Sequence, residues 1–280
     1  MNVTQANTNI DSAICLEGVK VISGNDRESA VASRLDINQL AITRGEWVYL
    51  AGINGSGKST LARLLAGLSM EGVHGVIDRG FAGEFPAPYV MQQPDSQLFG
   101  QTPREELSFV LEWLGLAPDE VERQAAAVLH RFRLAALADE PWEHLSGGQR
   151  QLTAVAAAVA GNAPLIVLDE ATSMLDDHAR ELVREVAFEL HREGTAIVWV
   201  TQRLEELEPD RRVIAMHHGR IAYDGETRQF LYGTGDGVSP CLACGLRLPY
   251  MAAVAMEMFR QNKLAYPLPM SMTEWRGALG

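Results

Sequence analysis

The chain has 280 residues, a length that suits one large α/β domain with a smaller appendage. Its 36 acidic and 24 basic side chains give a net charge of −12, which would repel a phosphate backbone and argues against nucleic acid as a partner. No segment approaches the roughly 18 uninterrupted apolar residues of a membrane span, and residues 1–12 lack the basic-then-apolar order of a signal peptide. We therefore expect a cytosolic chain.

A glycine-rich segment follows the apolar run WVYLAG at residues 47–52, which is typical of a buried strand. Leucines then recur with helical spacing over residues 61–68. The pattern G-x-x-x-x-G-K-[ST] is met by Gly52, Gly57, Lys58 and Ser59. A strand before this pattern and a helix after it are the context that a phosphate-binding loop requires. An ordinary glycine turn that opens a helix is the alternative.

Each part of this loop has a physical reason to contact ATP. Glycines let successive backbone N–H groups curve around phosphate oxygens, and the helix N-terminus adds a positive dipole. Lys58 can reach the β- and γ-phosphates, and the Ser59 hydroxyl can ligate Mg²⁺. The residues predicted to bind the nucleotide here are Gly52, Asn54, Gly55, Ser56, Gly57, Lys58, Ser59 and Thr60.

Two adjacent carboxylates follow a second apolar run, in LIVLDE at residues 165–170. Four apolar residues predict a buried strand whose end presents Asp169 and Glu170. In a phosphoryl-transfer site Asp169 would orient Mg²⁺, and Glu170 would act as general base on the attacking water. Any buried strand can end in an acidic turn, so the prediction depends on the phosphate loop about 110 residues upstream.

A third motif, LSGGQ at residues 145–149, precedes a run of small apolar residues with helical character. Ser146 is a good helix N-cap, and the two glycines allow close backbone approach. The motif therefore predicts a second helix N-terminus that can meet an anion.

Together these motifs resemble the nucleotide-binding subunits of ABC transporters. The resemblance is carried by GINGSGKST, the glutamine of VMQQPD, LSGGQ and LIVLDEATSMLD, and it covers roughly residues 14–230. LSGGQ distinguishes that family from other P-loop ATPases. The resemblance implies an α/β P-loop NTPase fold of the ABC type, with a mixed sheet, a helical subdomain at about 94–164 and a small C-terminal helical tail at 233–280.

The resemblance also implies a head-to-tail dimer that encloses two ATP molecules. The signature residues of one subunit would face the phosphate loop of the other; they are Ser146, Gly147, Gly148 and Gln149. Asp176 would lie at this interface and couple the two sites. Gln92 would contact Mg²⁺ and the γ-phosphate, and the region from Gln92 to Glu106 would receive an integral membrane subunit at the cytoplasmic face of the membrane.

A finer resemblance is to the energy-coupling factor (ECF) ATPases, which serve importers of vitamins, cobalt or nickel. It rests on QQPDSQLFGQTPREEL and on the tail that begins CGLRLPY. We expect domain boundaries at 1–13, 14–232 and 233–280. An apolar stripe in the tail is expected to pack on another copy or a paralogue, with packing on the parent domain as the alternative; it consists of Met251, Val254, Ala255, Met258 and Phe259. Ser271 and Glu274 predict a capping box for a last short helix.

One departure from the family concerns catalysis. The family has a histidine after the strand that follows the Asp176 segment, where it contacts the γ-phosphate and the attacking water. Here the segment reads VTQRLEE, so Gln202 takes that place. An amide forms hydrogen bonds but carries no positive charge and relays no proton. We predict catalysis by Lys58, Glu170 and Gln202 with retained ATP binding and slowed hydrolysis.

A second departure concerns the base. The family usually stacks an aromatic residue on adenine near residue 23, where this chain has Val21, Ile22 and Ser23. Base stacking on an aromatic ring contributes about 1–3 kcal/mol, so weaker nucleotide binding or base selectivity should follow. Trp47 and Tyr49 are expected in the core. Because both departures affect the chain's own half-site, an asymmetric heterodimer is one hypothesis.

Other functions remain as alternatives. Only about 88 residues separate the phosphate loop from LSGGQ, too few for the coiled coil of DNA-repair cassettes. A soluble ABC ATPase without a transport role and an ATP-binding regulatory subunit with little hydrolysis both stay open. Cys241 and Cys244 form a Cys-x-x-Cys pair near His217 and His218 without a second ligand pair, so we interpret these cysteines as small apolar residues, with metal or redox chemistry as the alternative.

Overall fold

The structure is a computed structural model that describes residues 12–22, 34–93, 97–234 and 238–279. In chain order the strands are β1 (Ile14–Val21), β2 (Leu35–Ile42), β3 (Trp47–Gly52), β4 (Val73–Asp78), β5 (Tyr89–Val90), β6 (Leu165–Asp169), β7 (Ala196–Val200), β8 (Arg212–His217) and β9 (Arg220–Glu226). The α-helices are α1 (Lys58–Ala66), α2 (Pro103–Trp113), α3 (Pro118–Arg131), α4 (Gly147–Val159), α5 (Asp177–Arg192), α6 (Thr227–Tyr232), α7 (Pro240–Ala243), α8 (Tyr250–Arg260) and α9 (Met272–Leu279).

The larger sheet has six strands in the order β5-β6-β7-β3-β8-β9. The first five are parallel, and β9 pairs antiparallel with β8. The central strands β3, β6 and β7 are buried along their whole length, because strands of a parallel sheet are covered on both faces and consist of continuous apolar runs. The predicted strands at 47–52 and 165–169 are thereby confirmed.

Strand register decides where the polar side chains meet. Asp169 at the end of β6 is paired with Val200 at the end of β7, and Leu50 of β3 is also paired with Val200. The carboxyl ends of these three strands therefore lie at one edge of the sheet. Loops leave this edge after Gly52, Asp169 and Val200, and such an edge is where ligands bind in open α/β sheets.

A smaller antiparallel sheet has the order β2-β1-β4. The buried positions of β1 and β2 include Leu16, Val19 and Ile37, which share a core with Leu61 and Leu65 of α1. The leucines of α1 with helical spacing thus face inward, as the sequence predicts. Helix α1 lies between the two sheets and is held by apolar contacts on both sides.

Between β5 and β6 the described residues contain three α-helices, α2, α3 and α4. Helix α2 begins at Pro103, after Thr102 accepts a hydrogen bond from the Glu105 amide at 3.2 Å, an N-cap followed by proline at the first helical position. Helices α2 and α3 pack on each other, and α4 contacts α2, α5 and β5. This packing joins the helical segment to the sheet edge.

The C-terminal helices pack on the main core. Ala252 and Ala255 of α8 are buried there, and Val254, Met258 and Phe259 are partly buried against it. Part of the apolar stripe is therefore covered within the chain, because the small alanines let α8 approach the core closely. Packing of its accessible part on another copy or a paralogue stays a prediction. Met251 remains 41% exposed.

Two polar arrangements fix this tail. The Ser271 hydroxyl accepts from the Glu274 amide at 3.2 Å, and Glu274 accepts from the Ser271 amide at 3.4 Å, so the predicted capping box forms at the start of α9. Glu274 also forms an ion pair with Arg228 of α6 at 2.7 Å. The tail is thus tied to the helix that directly follows the sheet.

Candidate active site

The phosphate loop connects β3 to α1 as the sequence predicts. Gly55 and Gly57 have φ angles of 76° and 103°, a region that favours glycine. At Gly52 a Cβ atom would lie 2.5 Å from the Ser56 hydroxyl oxygen and 2.6 Å from the Met216 carbonyl, so only glycine fits. Helix α1 has no side-chain cap and no acidic residue in its first turn, which leaves its N-terminal amides for an anion.

The remaining loop residues divide by exposure. Asn54, Gly55 and Ser59 are exposed, Thr60 is half-buried and Ser56 is buried. The Ser56 hydroxyl oxygen has no hydrogen-bond partner among the described residues, although it is inaccessible to solvent. Buried polar atoms are usually paired, so this hydroxyl suits a loop that binds a polar ligand.

Lys58 is 5% exposed and lies across the loop. Its Nζ donates to the Gly52 carbonyl at 2.9 Å and the Ile53 carbonyl at 3.1 Å. Burial lowers the pKa of Lys58 below its usual value, and the nearby carboxylates of Glu170 and Asp169 partly oppose that shift. The ammonium group is therefore held beside both acidic residues that the sequence singles out.

Asp169 is 6% exposed at the end of β6. Its Oδ2 accepts from the Tyr89 hydroxyl at 2.5 Å, and burial beside Asp169 raises the pKa of Tyr89, so the phenol stays a donor. Oδ1 is buried and has no partner among the described residues. A desolvated carboxylate oxygen without a partner is costly, and it fits a site where a cation binds.

Glu170 follows Asp169 with a φ of 50°, a left-handed backbone that is uncommon for a residue with a side chain. Its amide donates to the Val200 carbonyl at 3.0 Å. Its Oε1 lies 4.0 Å from Lys58 Nζ and accepts a hydrogen bond from the Gln202 side-chain amide. Lys58, Glu170 and Gln202 therefore form one connected set, although 144 positions separate the first from the last in the numbering.

The signature residues form a separate group. Ser146 Oγ accepts from the Gln149 amide at 3.2 Å, and Gln149 Oε1 accepts from the Ser146 amide at 2.8 Å, a capping box at the start of α4. Asp176 caps α5 by accepting from the Ala179 amide at 2.8 Å. Ser146, Gly148, Gln149 and Asp176 line one cleft of about 370 Å³, and none of the phosphate-loop residues 53–57 is among its described lining. Gly147 lies at the same helix start.

Gln92 is exposed just after β5. The backbone before it is held by two glutamines that sequence reasoning did not select. Gln97 accepts from the Met91 amide at 3.0 Å and donates to the Tyr89 carbonyl at 2.7 Å. Gln151, fully buried in α4, donates to the Met91 carbonyl at 3.0 Å. The signature helix thus contacts the segment that carries Gln92.

Two further residues escaped the sequence analysis. Tyr89 is the hydrogen-bond donor to Asp169, and Glu206 accepts hydrogen bonds from Thr172, Trp199 and Thr201. A single tyrosine at the start of a two-residue strand gives no local pattern. Glu206 belongs to the segment VTQRLEE. What distinguishes it from other glutamates is its burial, at 5% exposure, and the sequence does not show burial.

The expected base-binding segment is only partly described. Val21 is buried in the core at the end of β1, and the Ile22 amide donates to the Gly72 carbonyl at 3.0 Å. Ser23 lies outside the described residues, so weaker base binding stays a prediction. Trp47 and Tyr49 are 3% and 1% exposed, as expected of core residues, and Trp47 stacks on Phe188 and Trp199.

The cysteine pair lies in the main core. Cys241 and Cys244 are both buried free thiols, and burial raises the pKa of Cys241 to about 12. A thiol with a raised pKa is a poor nucleophile and a poor metal ligand, which favours the packing interpretation. The described residues contain no cluster of three or more His, Cys, Asp or Glu side chains placed to hold a metal ion.

Within the described part of the chain, every helix is too short or too polar to cross a membrane.

Comparison with known proteins gives the family. The ABC transporter family model matches residues 35–173. The energy-coupling factor transporter ATP-binding protein EcfA1 of Bacillus subtilis is 33% identical over 85% of this chain and 86% of that protein. A putative ABC transporter ATP-binding protein of Methanosarcina mazei is 37% identical over 69% of this chain and 73% of that protein.

Solved structures agree with the fold. A dimeric post-hydrolysis state of the ATP-binding cassette MJ0796 bound to ADP and Pi superposes with a TM-score of 0.64 at 26% identity, over 77% of this chain and 99% of that chain. cbiO1 from Clostridium perfringens, part of the complex cbiONQ, superposes with a TM-score of 0.64 at 24% identity, over 87% of this chain and 98% of that chain. On its motifs, its fold and its relatives, the chain belongs to the ABC transporter ATPases.

Proposed function

We propose that this chain binds MgATP at the carboxyl edge of its larger sheet and hydrolyses it as the motor subunit of an ECF-type importer. One observation carries the proposal. Lys58, Asp169, Glu170 and Gln202 converge at this edge, beside a glycine loop that opens a helix. These are the parts that phosphoryl transfer needs: a phosphate cradle, a cation, and a carboxylate that can take a proton.

The phosphates would be bound by the amides of loop 52–57 and of the first turn of α1. Lys58 would supply the positive charge, because its Nζ lies at the start of the loop, where it donates to the Gly52 and Ile53 carbonyls. The hydroxyls of Ser56, Ser59 and Thr60 and the side chain of Asn54 complete the polar lining. Close approach is possible because Gly52, Gly55 and Gly57 present no side chains.

Mg²⁺ fits the donors present. Asp169 offers a buried oxygen without a partner, Ser59 an exposed hydroxyl, and Gln92 an exposed amide. Oxygen ligands of this kind suit a hard cation. Bound there, Mg²⁺ would neutralise negative charge on the β- and γ-phosphates.

Glu170 would act as the general base. Its Oε1 accepts from Gln202, which holds the carboxylate in one orientation, and Lys58 lies 4.0 Å away. Gln202 supplies a hydrogen bond where a histidine would also supply charge. Hydrolysis is therefore expected to be slow in this chain's own half-site.

A second ATPase subunit would complete each site. The single chain brings Ser146, Gly148, Gln149 and Asp176 together in a cleft apart from the phosphate loop, which favours a head-to-tail pair that joins the two groups across an interface. The partner subunit is either this chain or a paralogue. The dimeric cassette MJ0796 among the similar structures supports such an arrangement.

The membrane partner would contact the region from Gln92 to Glu106. Within it Phe99 is 77% exposed and stacks on Phe109 with 5.7 Å between ring centroids. Buried Glu106 accepts from the amides of Phe99 and Gly100 at 2.7 and 2.8 Å and so fixes this loop. Rigid exposed aromatic rings suit a protein interface, and this would place the chain at the cytoplasmic face of the membrane.

Replacement of Glu170 by Gln tests the proposal. ATP hydrolysis by the purified chain, alone and with its co-purified membrane subunits, should fall by about 10²-fold or more, whereas ATP binding should persist. The matched control is Glu122→Gln on the exposed face of α3, which should change the rate by about twofold or less. Unchanged turnover and uptake in Glu170→Gln would contradict a motor role for this site.

Gln202 supports one second candidate, an ATP-binding regulatory subunit whose signature residues complete a competent site on a paralogue. The two candidates differ in a simple measurement. A purified homodimer with full turnover excludes the regulatory function, whereas turnover that appears only after a paralogue is added supports it.

A further inference from the structure

Glu206 is a buried carboxylate behind the catalytic edge of the sheet. It follows β7 and is 5% exposed. Its Oε1 accepts from the Thr172 hydroxyl at 2.9 Å, and its Oε2 accepts from the Thr201 hydroxyl at 2.8 Å and from the indole N–H of Trp199 at 2.9 Å. Arg203 lies 3.9 Å away. A buried carboxylate is costly unless it is paired, so these donors are what make the position tolerable.

The donors occupy informative places in the chain. Thr172 is the second residue after Glu170, in the same turn, where the Ser173 amide donates to the Glu170 carbonyl at 3.0 Å. Thr201 directly precedes Gln202, and Trp199 lies within β7. Glu206 therefore connects the turn that carries the general base to the loop that carries its hydrogen-bond donor.

We propose that Glu206 is a positioning residue that sets the separation of Glu170 and Gln202 and thereby the aim of the general base. This inference rests on the proposed hydrolysis at Glu170. The turn held through Thr172 continues to Asp176 at the start of α5. If this segment moves when a second subunit closes, the Glu206 carboxylate would transmit the movement to Gln202.

The geometry separates two substitutions at this position. In Glu206→Gln the amide oxygen can accept from Trp199, an obligate donor, while the amide nitrogen donates to the Thr172 hydroxyl, which can rotate to accept. In Glu206→Ala all three donors lose their acceptor. We expect kcat to fall at least about tenfold in Glu206→Ala, since a misplacement of about 1 Å can cost 10²-fold, with little change in the KM for ATP. Glu206→Gln should keep most of the rate.

Glu46 provides a matched control. It also accepts three hydrogen bonds, from the amide and hydroxyl of Thr43 and from Arg212, but it lies before β3, at the opposite end of that strand from the phosphate loop. Glu46→Ala should lower the melting temperature, with kcat changed by about twofold or less. A purely structural role for Glu206 would make the two alanine variants behave alike.

Two further measurements test whether Glu206 affects catalysis through Gln202 and the segments next to it. If Glu206 acts through Gln202, Glu206→Ala should cost little more in a Gln202→Ala background, because the effects are not additive. Amide hydrogen exchange should rise over residues 171–176 and 201–205 in Glu206→Ala while α1 stays protected. Full additivity of the two rate effects would overturn the positioning role. Unchanged exchange in these segments would also overturn it, and exchange can be measured even in a preparation without turnover. Absence of turnover in the unsubstituted chain would instead contradict the proposed function.

Discussion

The Gln202 side-chain amide donates a hydrogen bond to the carboxylate of Glu170. The residue that departs from the family pattern is thus in direct contact with the proposed general base. An amide donor orients the carboxylate but adds no charge, and it stabilises the ionised form less than a cationic donor would. The contact is the physical basis for the prediction that this site binds ATP but hydrolyses it slowly.

Replacement of Gln202 by His should therefore raise the rate. We expect kcat to increase by about tenfold, within the range of general acid–base contributions, with an unchanged affinity for ATP. The rate should also acquire a pH dependence near the ordinary histidine pKa of about 6.5, which the glutamine protein lacks. Steady-state hydrolysis across this pH range tests it.

The matched variant is Gln202→Ala, which removes the hydrogen bond without adding an imidazole. It should be slower than the unsubstituted chain. If the histidine variant is no faster than glutamine, an uncharged donor is sufficient here and the expected slow hydrolysis has another cause.

The pairing of half-sites across an interface gives a complementation prediction. Lys58→Met and Ser146→Arg should each abolish turnover in a homodimer. In an equal mixture, each mixed dimer has one intact site, formed by Lys58 of one chain and Ser146 of the other, so about a quarter of the activity should return if subunits exchange freely. Turnover of the mixture, with dimer exchange followed by fluorescence, is the measurement. No recovery despite exchange would favour a paralogue as the natural partner.

Much of the site could be predicted because its motifs are local. Residues 52–60 are contiguous, and their strand and helix follow from apolar spacing alone. The N-cap role of Ser146 follows from a serine placed directly before a helical run. The contact of Tyr89 with Asp169 joins positions 80 residues apart, and no local pattern identifies the tyrosine. What covers the accessible part of the tail stripe stays a prediction, because periodicity shows that one helix face is apolar without showing what packs on it.

Burial of Lys58 has a consequence for stability. Its pKa is lowered by burial, so the folded chain holds this proton less tightly than the unfolded chain does. Stability linked to Lys58 is then present above its ordinary pKa of about 10.4 and is lost as pH falls through the lowered value. The melting temperature of Lys58→Met relative to the unsubstituted chain should therefore decline as pH rises from neutral to alkaline. Thermal unfolding without nucleotide, from pH 7 to about pH 10, measures this difference in melting temperature. A difference that stays constant with pH would mean that Lys58 does not titrate in this range.

Tyr89 orients the carboxylate proposed to hold Mg²⁺. In Tyr89→Phe the Asp169 side chain loses the donor to Oδ2, so the ligand oxygen Oδ1 is no longer fixed. Loss of a residue that orients a metal ligand typically costs 10- to 100-fold in metal affinity, and we expect the Mg²⁺ concentration for half-maximal hydrolysis to rise by about tenfold, with kcat at saturating Mg²⁺ largely kept. Tyr223→Phe, which removes a hydroxyl that donates to the Glu226 carbonyl on β9, is the control and should leave the Mg²⁺ dependence unchanged. The test is a Mg²⁺ titration of hydrolysis by both variants at saturating ATP. If the two variants show the same Mg²⁺ dependence, Tyr89 is not needed to orient Asp169. A lower kcat of Tyr89→Phe at every Mg²⁺ concentration would assign Tyr89 to the catalytic step itself.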